Sequence, residues 1–444
     1  MDDSLFITDE TDAADDSTGP ASAPAGRLRV VRPDRAQQRM QCLNLDALIA
    51  DDHPARTIWM VVERLDLSAF EAAARSREAH AGRPVTDVRL LAALWLYATT
   101  RGVGSARELA RLCEEHVAYQ WLCGGVSVNH HTLADFRVSH EEALDTLFTQ
   151  LLARLARKNV ITVERISQDG TKVRLGAGAS SFKGKDRLGE LLTQAKAHVE
   201  ELKGQGSKED AGGHHARCRA AQERAARERV ERIEAALKEM PMIEAVRAKK
   251  NGKPSGSAPA ASTTDASARK MRMGDGGTRP AANVQVAADH GSRLIVGVSV
   301  THAGTDHGQL EPMRDQIEKR TGLKVKEHVA DGGFVTLAEV DAAAAADVTL
   351  YLPVPKPRDQ ETDRFAIRPG DSAAVAAWRR RMSEERSKEV YKQRAALVET
   401  INGDLKQHRG LRQIAVRGLG KIKCVVIWAA LAYNVMHAAS GLLA

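Results

Sequence analysis

Three acidic residues stand where carboxylates could share a cation. Asp169 closes Ile166-Ser-Gln-Asp-Gly, Asp331 lies in Val329-Ala-Asp-Gly-Gly, and Glu399 follows Tyr391-Lys-Gln-Arg-Ala-Ala-Leu-Val. The first two end short β-branched runs, and the third falls in a helical pattern. Carboxylates at the ends of adjacent strands, faced by one from a helix, can hold two divalent cations about 3.5–4 Å apart. Such a pair activates a water or hydroxyl and stabilises the leaving oxygen of a phosphodiester. Each residue alone has a plainer reading: Asp-Gly is a common turn dipeptide, and a single helical Glu is ordinarily solvated. Their joint order and basic neighbours favour the site. Asp306 and His307, in Gly304-Thr-Asp-His-Gly, read as loop caps, and Asp289-His-Gly-Ser as a hairpin turn.

The chain that must position these residues is basic, with 65 Lys and Arg against 58 Asp and Glu, a net +7 and a pI near 9.1. Residues 1–26 hold seven acidic residues and no Lys or Arg, so the remainder carries +14. A positive body suits a polyanion, because neutralised phosphates release condensed counterions. The obvious polyanion is DNA. The acidic tail lacks the apolar surface to offset ordering entropy and reads as disordered. It has no basic segment followed by an apolar run, so it is not a secretory signal. The most apolar stretch, Cys424–Tyr433, is half the length of a membrane span of about 20 residues and reads as a buried core helix. Five scattered cysteines without CxxC indicate neither a disulfide framework nor a zinc knuckle. The location expected is cytoplasmic, with the nucleoid.

Residues 27–41 form an arm carrying Arg27, Arg29, Arg32, Arg35 and Arg39. To about residue 158 the pattern is helical, with Arg101, Arg107, Arg111 and Arg137 among short helices, which fits a DNA-binding domain over 27–158. Residues 160–167 read as a strand ending at Asp169-Gly170. Residues 183–250 read as an inserted helical hairpin, with Leu188, Leu192, Ala195, Val199 and Leu202 answered by Val230, Ile233, Leu237 and Met240. His214-His215 in its Gly-rich break reads as solvent-exposed, and 251–268 as a flexible linker. Strands follow at 283–288 and 294–300, then a helix over 309–319, a strand reaching Asp331, a helix near 337–344 and a strand at 348–352. Residues 373–406 and 419–443 read as helices, with Trp428 and Tyr433 in the core. Strand–helix alternation with one hairpin predicts a mixed sheet flanked by helices, an α/β class.

In this order the pieces resemble the bacterial insertion-sequence transposases of the DDE type, in the branch with an N-terminal helical domain and a Tyr-Arg-Glu-Lys signature. The signature here is Tyr391, Arg394, Glu399 and Lys406; the other matching pieces are Asp169-Gly-Thr-Lys, Asn283-Val-Gln-Val, Ala330-Asp-Gly-Gly-Phe and Arg417-Gly-Leu-Gly-Lys-Ile-Lys followed by Ala432-Tyr-Asn. The resemblance implies a ribonuclease H-like catalytic domain over 159–182 and 269–444. It implies cleavage at transposon ends and transfer of the 3′-OH ends to target DNA. Asp169, Asp331 and Glu399 would bind two Mg²⁺, with Mn²⁺ as a substitute. Arg394 and Lys406 would contact phosphate, Tyr391 would stack or hydrogen-bond nearby, and Lys172 is a lesser DNA contact. The partners implied are double-stranded DNA, as terminal inverted repeats and target, and a second copy in a homodimer on DNA. One departure concerns geometry. Four residues separate Arg394 from Glu399, where the usual signature has three, a rotation of about 100° on an α-helix. Lys406 likewise falls about 120° from Arg394. Two other functions share these residues: a catalytically idle DNA-binding regulator, and a nuclease of the same fold without strand transfer.

Overall fold

The computed structural model describes residue 36 and residues 44–72, 85–206, 213–249, 258–357 and 363–443. The acidic tail, the basic arm apart from Ala36, and the first seven residues of the expected linker lie outside them. Residues 44–444 form one unit.

Its first part is helical: α1 (Pro54–Glu63), α2 (Ser68–Ala72), α3 (Val88–Thr100), α4 (Ala106–Glu115), α5 (Val117–Cys123), α6 (His130–Val138) and α7 (Glu141–Arg157). Short polar side chains start several of these helices by taking orphan backbone N–H groups. Asp87 accepts from Arg89 at 2.7 Å before α3, and Asn129 from His131 at 2.8 Å before α6. Helix α3 is buried from Leu90 to Thr99 and is locked to α6 by the Trp95 indole, which donates to the Leu133 carbonyl at 2.9 Å.

The rest alternates strands and helices. In order come β1 (Arg165–Leu175), β2 (Phe182–Lys183), α8 (Lys185–Gly206), α9 (Gly213–Lys249), β3 (Ala261–Ser262), β4 (Arg269–Arg272), β5 (Thr278–Asp289) and β6 (Ile295–Thr301). Then follow α10 (Leu310–Thr321), β7 (Glu327–Val329), α11 (Leu337–Ala345), β8 (Thr349–Tyr351), α12 (Ala373–Ser383) and α13 (Glu385–Arg394). A π turn (Ala395–Glu399) leads into α14 (Thr400–Gln407), β9 (Gln413–Ile414), α15 (Leu419–His437) and α16 (Ala439–Leu443). The sheet runs β4-β5-β1-β7-β8, with β6 also on β5 and β9 also on β1. Strand β1 is antiparallel to β5 and parallel to β7, so the sheet is mixed, as expected.

Three boundaries differ from the sequence reading. Strand β1 does not end at Asp169-Gly170 but pairs with β5 through to Arg174, with Asp169 opposite Val286 and Gly170 opposite Gln285. The second half of the expected linker is folded: Ser262 pairs with Phe182, and Asp265 is buried. The long helical stretch over 373–406 is broken at Glu384 and again by the π turn.

The apolar C-terminal stretch becomes α15. It is the one helix among the described residues long and apolar enough to cross a membrane, and it is largely buried within the protein. It packs on α3, α6, α7 and β6, with Trp428 and Tyr433 in the core as expected. Trp428 donates to the Arg137 carbonyl at 3.1 Å. Asn434 behaves as a short length of strand edge, accepting the Ile295 N–H at 2.9 Å and donating to its carbonyl at 2.7 Å. These bonds join the helical layer to the sheet that carries the carboxylates.

Candidate active site

The site lies at a notch in the sheet. Strand β7 stops with Val329 opposite Ser167, and β9 joins the same edge of β1 only at Arg174. Between them β1 has no neighbour on that side, and Asp169 falls in the gap. The carboxyl end of β7 delivers Asp331 to the same place, in the crevice beyond a parallel strand end where α/β sheets commonly bind ligands. Asp331 caps the one-turn 3₁₀ helix Gly332–Phe334, and its Oδ1 accepts the Gly333 N–H at 2.8 Å.

Arg394, at the end of α13, closes the pair. Its Nη2 lies 3.2 Å from Asp169 Oδ1 and 3.6 Å from Asp331 Oδ2. The second Asp169 oxygen accepts from Asn402 Nδ2 at 3.0 Å. Asp169 is the inner carboxylate, with its side chain 17% exposed against 39% for Asp331. Burial pushes its carboxyl above the usual range; Arg394 opposes that shift and the neighbouring Asp331 charge adds to it.

The π turn explains how one helical arm presents so many groups to one carboxylate. A π turn closes on i→i+5 hydrogen bonds and so absorbs about one residue relative to an α-helix. Arg394 and Asn402 are eight positions apart. In an uninterrupted α-helix they would point about 80° apart, and with one residue absorbed the offset falls to about 20°. The same correction brings Lys406 from about 120° to about 20° from Arg394, and Glu399 from about 140° to about 40°. The extra residue in the signature is therefore taken up within Ala395–Glu399. Lys406 is half-buried in keeping with this register: burial pushes its ammonium down, and the Asp169 carboxylate pushes it back up.

Tyr391 sits among the acidic groups. Burial raises its phenol, Arg394 lowers it, and Asp331, Asp169 and Glu399 each raise it further. The Arg394 guanidinium carbon lies 6.0 Å from its ring centroid. The Glu399 side chain is exposed and makes no hydrogen bond or ion pair among the described residues. No three His, Cys, Asp or Glu residues among those described form a ready metal cluster. Lys172 shares the Gly170 side of β1 by strand alternation, the face opposite Asp169.

Asn402 carries no spacing signal in the sequence and was not among the expected site residues. Asp306 is a second addition. Its Oδ1 accepts from Asn283 Nδ2 at 2.8 Å and Gln285 Nε2 at 2.5 Å, so its carboxylate is held by side chains of β5 and not by the loop N–H groups that a cap would take. It lies over Gly170, where a Cβ would collide with Asp306 Oδ1 and come 2.5 Å from Gln285 Nε2. A Cβ on Gly333 would meet both Asp331 Oδ1, at 3.0 Å, and Asp306 Oδ2, at 3.4 Å. Asp306 thus borders the crevice on the side away from Arg394. Gly170 marks a close approach within a strand rather than a turn.

Comparison with known protein families gives two matches. Residues 43–139 match the model described as transposase domain (DUF772), and residues 357–438 match a transposase DDE domain. The second contains Tyr391, Arg394, Glu399 and Lys406, whereas Asp169 and Asp331 lie outside both segments. No curated protein and no solved structure matches the chain.

Proposed function

We propose that this chain, which matches transposase models over residues 43–139 and 357–438, is an insertion-sequence DDE transposase that binds transposon ends, cleaves their phosphodiesters and transfers the 3′-OH ends to target DNA. The catalytic part is a ribonuclease H-like domain over 159–182 and 269–444, with 183–250 inserted and 27–158 as the DNA-binding region. It acts on DNA in the cytoplasm, at the nucleoid, as a homodimer that holds two ends together.

The observation that carries this reading is the convergence of Asp169 and Asp331 on one cationic nitrogen of Arg394, at 3.2 and 3.6 Å. Two carboxylates from separate strands that share one positive group also suit a divalent ion. The donor set is all oxygen, as Mg²⁺ prefers. Asn402 Oδ1, buried with no hydrogen-bond partner, is a further oxygen beside Asp169 that a hydrated cation satisfies. Asp169 and Asp331 would hold the metal, and Glu399, about 40° from Arg394 around the helical arm, would join them from the solvent side. Bound magnesium supplies the charge that makes water or a terminal 3′-OH a nucleophile at neutral pH and offsets charge on the leaving oxygen.

The remaining roles belong to the side chains. Asn402 fixes the orientation of the inner carboxylate. Arg394 neutralises two like charges and, once a metal takes over that task, would turn its guanidinium toward a phosphate oxygen. Lys406 adds positive charge along the same line, which positions a strand without reading its sequence. Tyr391 flanks the track as a stacking or hydrogen-bonding surface.

Incubation of the protein with Mg²⁺ and DNA bearing the element's terminal repeats tests the proposal. The expected product is nicked and then joined DNA, lost in Asp331→Asn while DNA binding persists. Binding by the wild type without nicking would make the chain an idle regulator. Nicking without joining would make it a nuclease, and nicking by Asp331→Asn would refute the metal site.

A further inference from the structure

We infer that the base of the α8/α9 hairpin and the loop before α15 together form a pocket for a phosphate of the DNA backbone, so that the insertion serves as a DNA clamp. The inference rests on the transposase reading above and gives the insertion a role within it.

The base of the hairpin is anchored to the body. Leu188 and Ala195 of α8 and Ile233, Ala236 and Met240 of α9 pack in one buried cluster with Ala261 of β3. Arg269 of β4 forms an ion pair with Glu239 of α9, both largely buried. On the other side, Asp265 Oδ1 accepts the Ser267 N–H at 3.0 Å and the Gly418 N–H at 3.3 Å. Gly418 has φ of 90°, a conformation that glycine adopts without strain. The loop carrying Arg417 is thereby pinned to the segment after β3.

Between these two anchored walls is a concavity of about 220 Å³. Arg229 and Arg232 of α9, Arg417, Thr263 and Thr264 line it over an apolar floor of Leu191 and Ile233. Three guanidinium groups around so small a space repel one another unless an anion joins them. Among the described residues no carboxylate lines the pocket. Arg232 has one ion pair among the described residues, with Glu228 on the same helix, long at 3.5 Å. Asp265, next to Thr264, uses Oδ1 for the two backbone N–H groups; its buried Oδ2 has no partner, and its charge offsets part of that on Arg417. Guanidinium forks and hydroxyls are the usual donors to phosphate oxygens. Arg229 and Arg417 are exposed, so the pocket opens to solvent, and its lining holds no aromatic ring to grip a base or nucleoside. That combination fits a backbone phosphate, which positions a duplex without reading its sequence. It also accounts for Arg417 at the head of the Arg417-Gly-Leu-Gly segment, which the carboxylate site does not use.

The test is binding of the full chain to a fluorescent duplex, without metal, over a salt series. Arg229→Ala/Arg232→Ala and Arg417→Ala should each weaken binding and reduce the slope of log K against log salt by about one for each phosphate left unneutralised. Arg224→Ala/Arg227→Ala, further along α9, should leave the slope unchanged, and all variants should keep the wild-type melting temperature. Pocket variants with the wild-type slope, or an equal loss from the Arg224/Arg227 pair, would overturn the inference while a wild type that binds and nicks DNA keeps the transposase reading. A wild type that binds no duplex would overturn both. Inorganic phosphate that stabilises the wild type but not the pocket variants, with DNA slopes unaltered, would assign the pocket to free phosphate and overturn the backbone assignment.

Discussion

Arg394 and Asn402 reach the two oxygens of one carboxylate, Asp169, from opposite ends of the π turn. The turn behaves as a one-residue insertion that leaves the helices on either side in register. Deleting Ala396, an exposed residue in the middle of the turn, is therefore expected to produce a continuous α-helix that still presents Arg394, Glu399, Asn402 and Lys406 on one face. Cleavage and melting temperature should stay near wild type. Inserting one alanine after Ala396 should turn α14 by about 100° relative to α13 and abolish cleavage. If the deletion is as damaging as the insertion, the turn is not a register device.

Gly170→Ala tests the packing of Asp306 on β1. The added Cβ would collide with Asp306 Oδ1 and crowd Gln285 Nε2, two side-chain ends hydrogen-bonded to each other, so both must shift together. Overpacking of this kind costs about 1–3 kcal/mol, read as a lower urea midpoint. Asp306→Ala in the same chain removes the clash and should recover much of the loss. A double mutant no more stable than Gly170→Ala would show that Asp306 is not the obstacle.

These cases show what the sequence carries. Asp169, Asp331, Arg394 and Lys406 are legible because each stands in an ordered series of short segments. Asn402 is not, since one Asn in a helix has no pattern of its own. The Asp169-Gly170 pair looks like the end of a strand because glycine in turns and glycine under a close neighbour read alike in one dimension; only the position of Asp306 separates them. The extra residue before Glu399 is visible as a wrong angle, but its resolution depends on hydrogen bonds that skip one position further than usual. β3 and β4 are missed for another reason: two- and four-residue strands in a Ser- and Ala-rich stretch have no periodicity to detect.

Magnesium binding should be measurable apart from catalysis. A ligand that binds only the folded state stabilises it by about 2.7 kcal/mol at 100 times its Kd, so Mg²⁺ should raise the wild-type melting temperature. Asp169→Asn and Asp331→Asn should each remove most of that rise. Arg394→Ala should lower stability without metal, because two close carboxylates lose their shared positive group, and should gain more from Mg²⁺ than the wild type does. An equal Mg²⁺ response in all four proteins would show that the ion binds elsewhere.

Acid sensitivity should come from one fully buried and one half-buried histidine. His290, whose Nε2 lies 2.6 Å from Ser167 Oγ, is pushed down to about 4, mainly by burial and then by Arg165. His328, inside β7, is fully buried with neither ring nitrogen bonded, and burial followed by Arg314 holds it far below its ordinary value. Both are neutral in the fold. In the unfolded chain they take up a proton near pH 6.5, so the unfolded state binds more protons below that pH. The sign follows: stability is intact above about pH 6.5 and is lost as the pH falls toward 4, by at most about 1.4 kcal/mol per unit for each histidine. Urea midpoints at pH 7.5 and 5.5 should show the drop, and His328→Leu should make the curve shallower. A His328→Leu protein with the wild-type pH profile would mean that this ring is not held neutral.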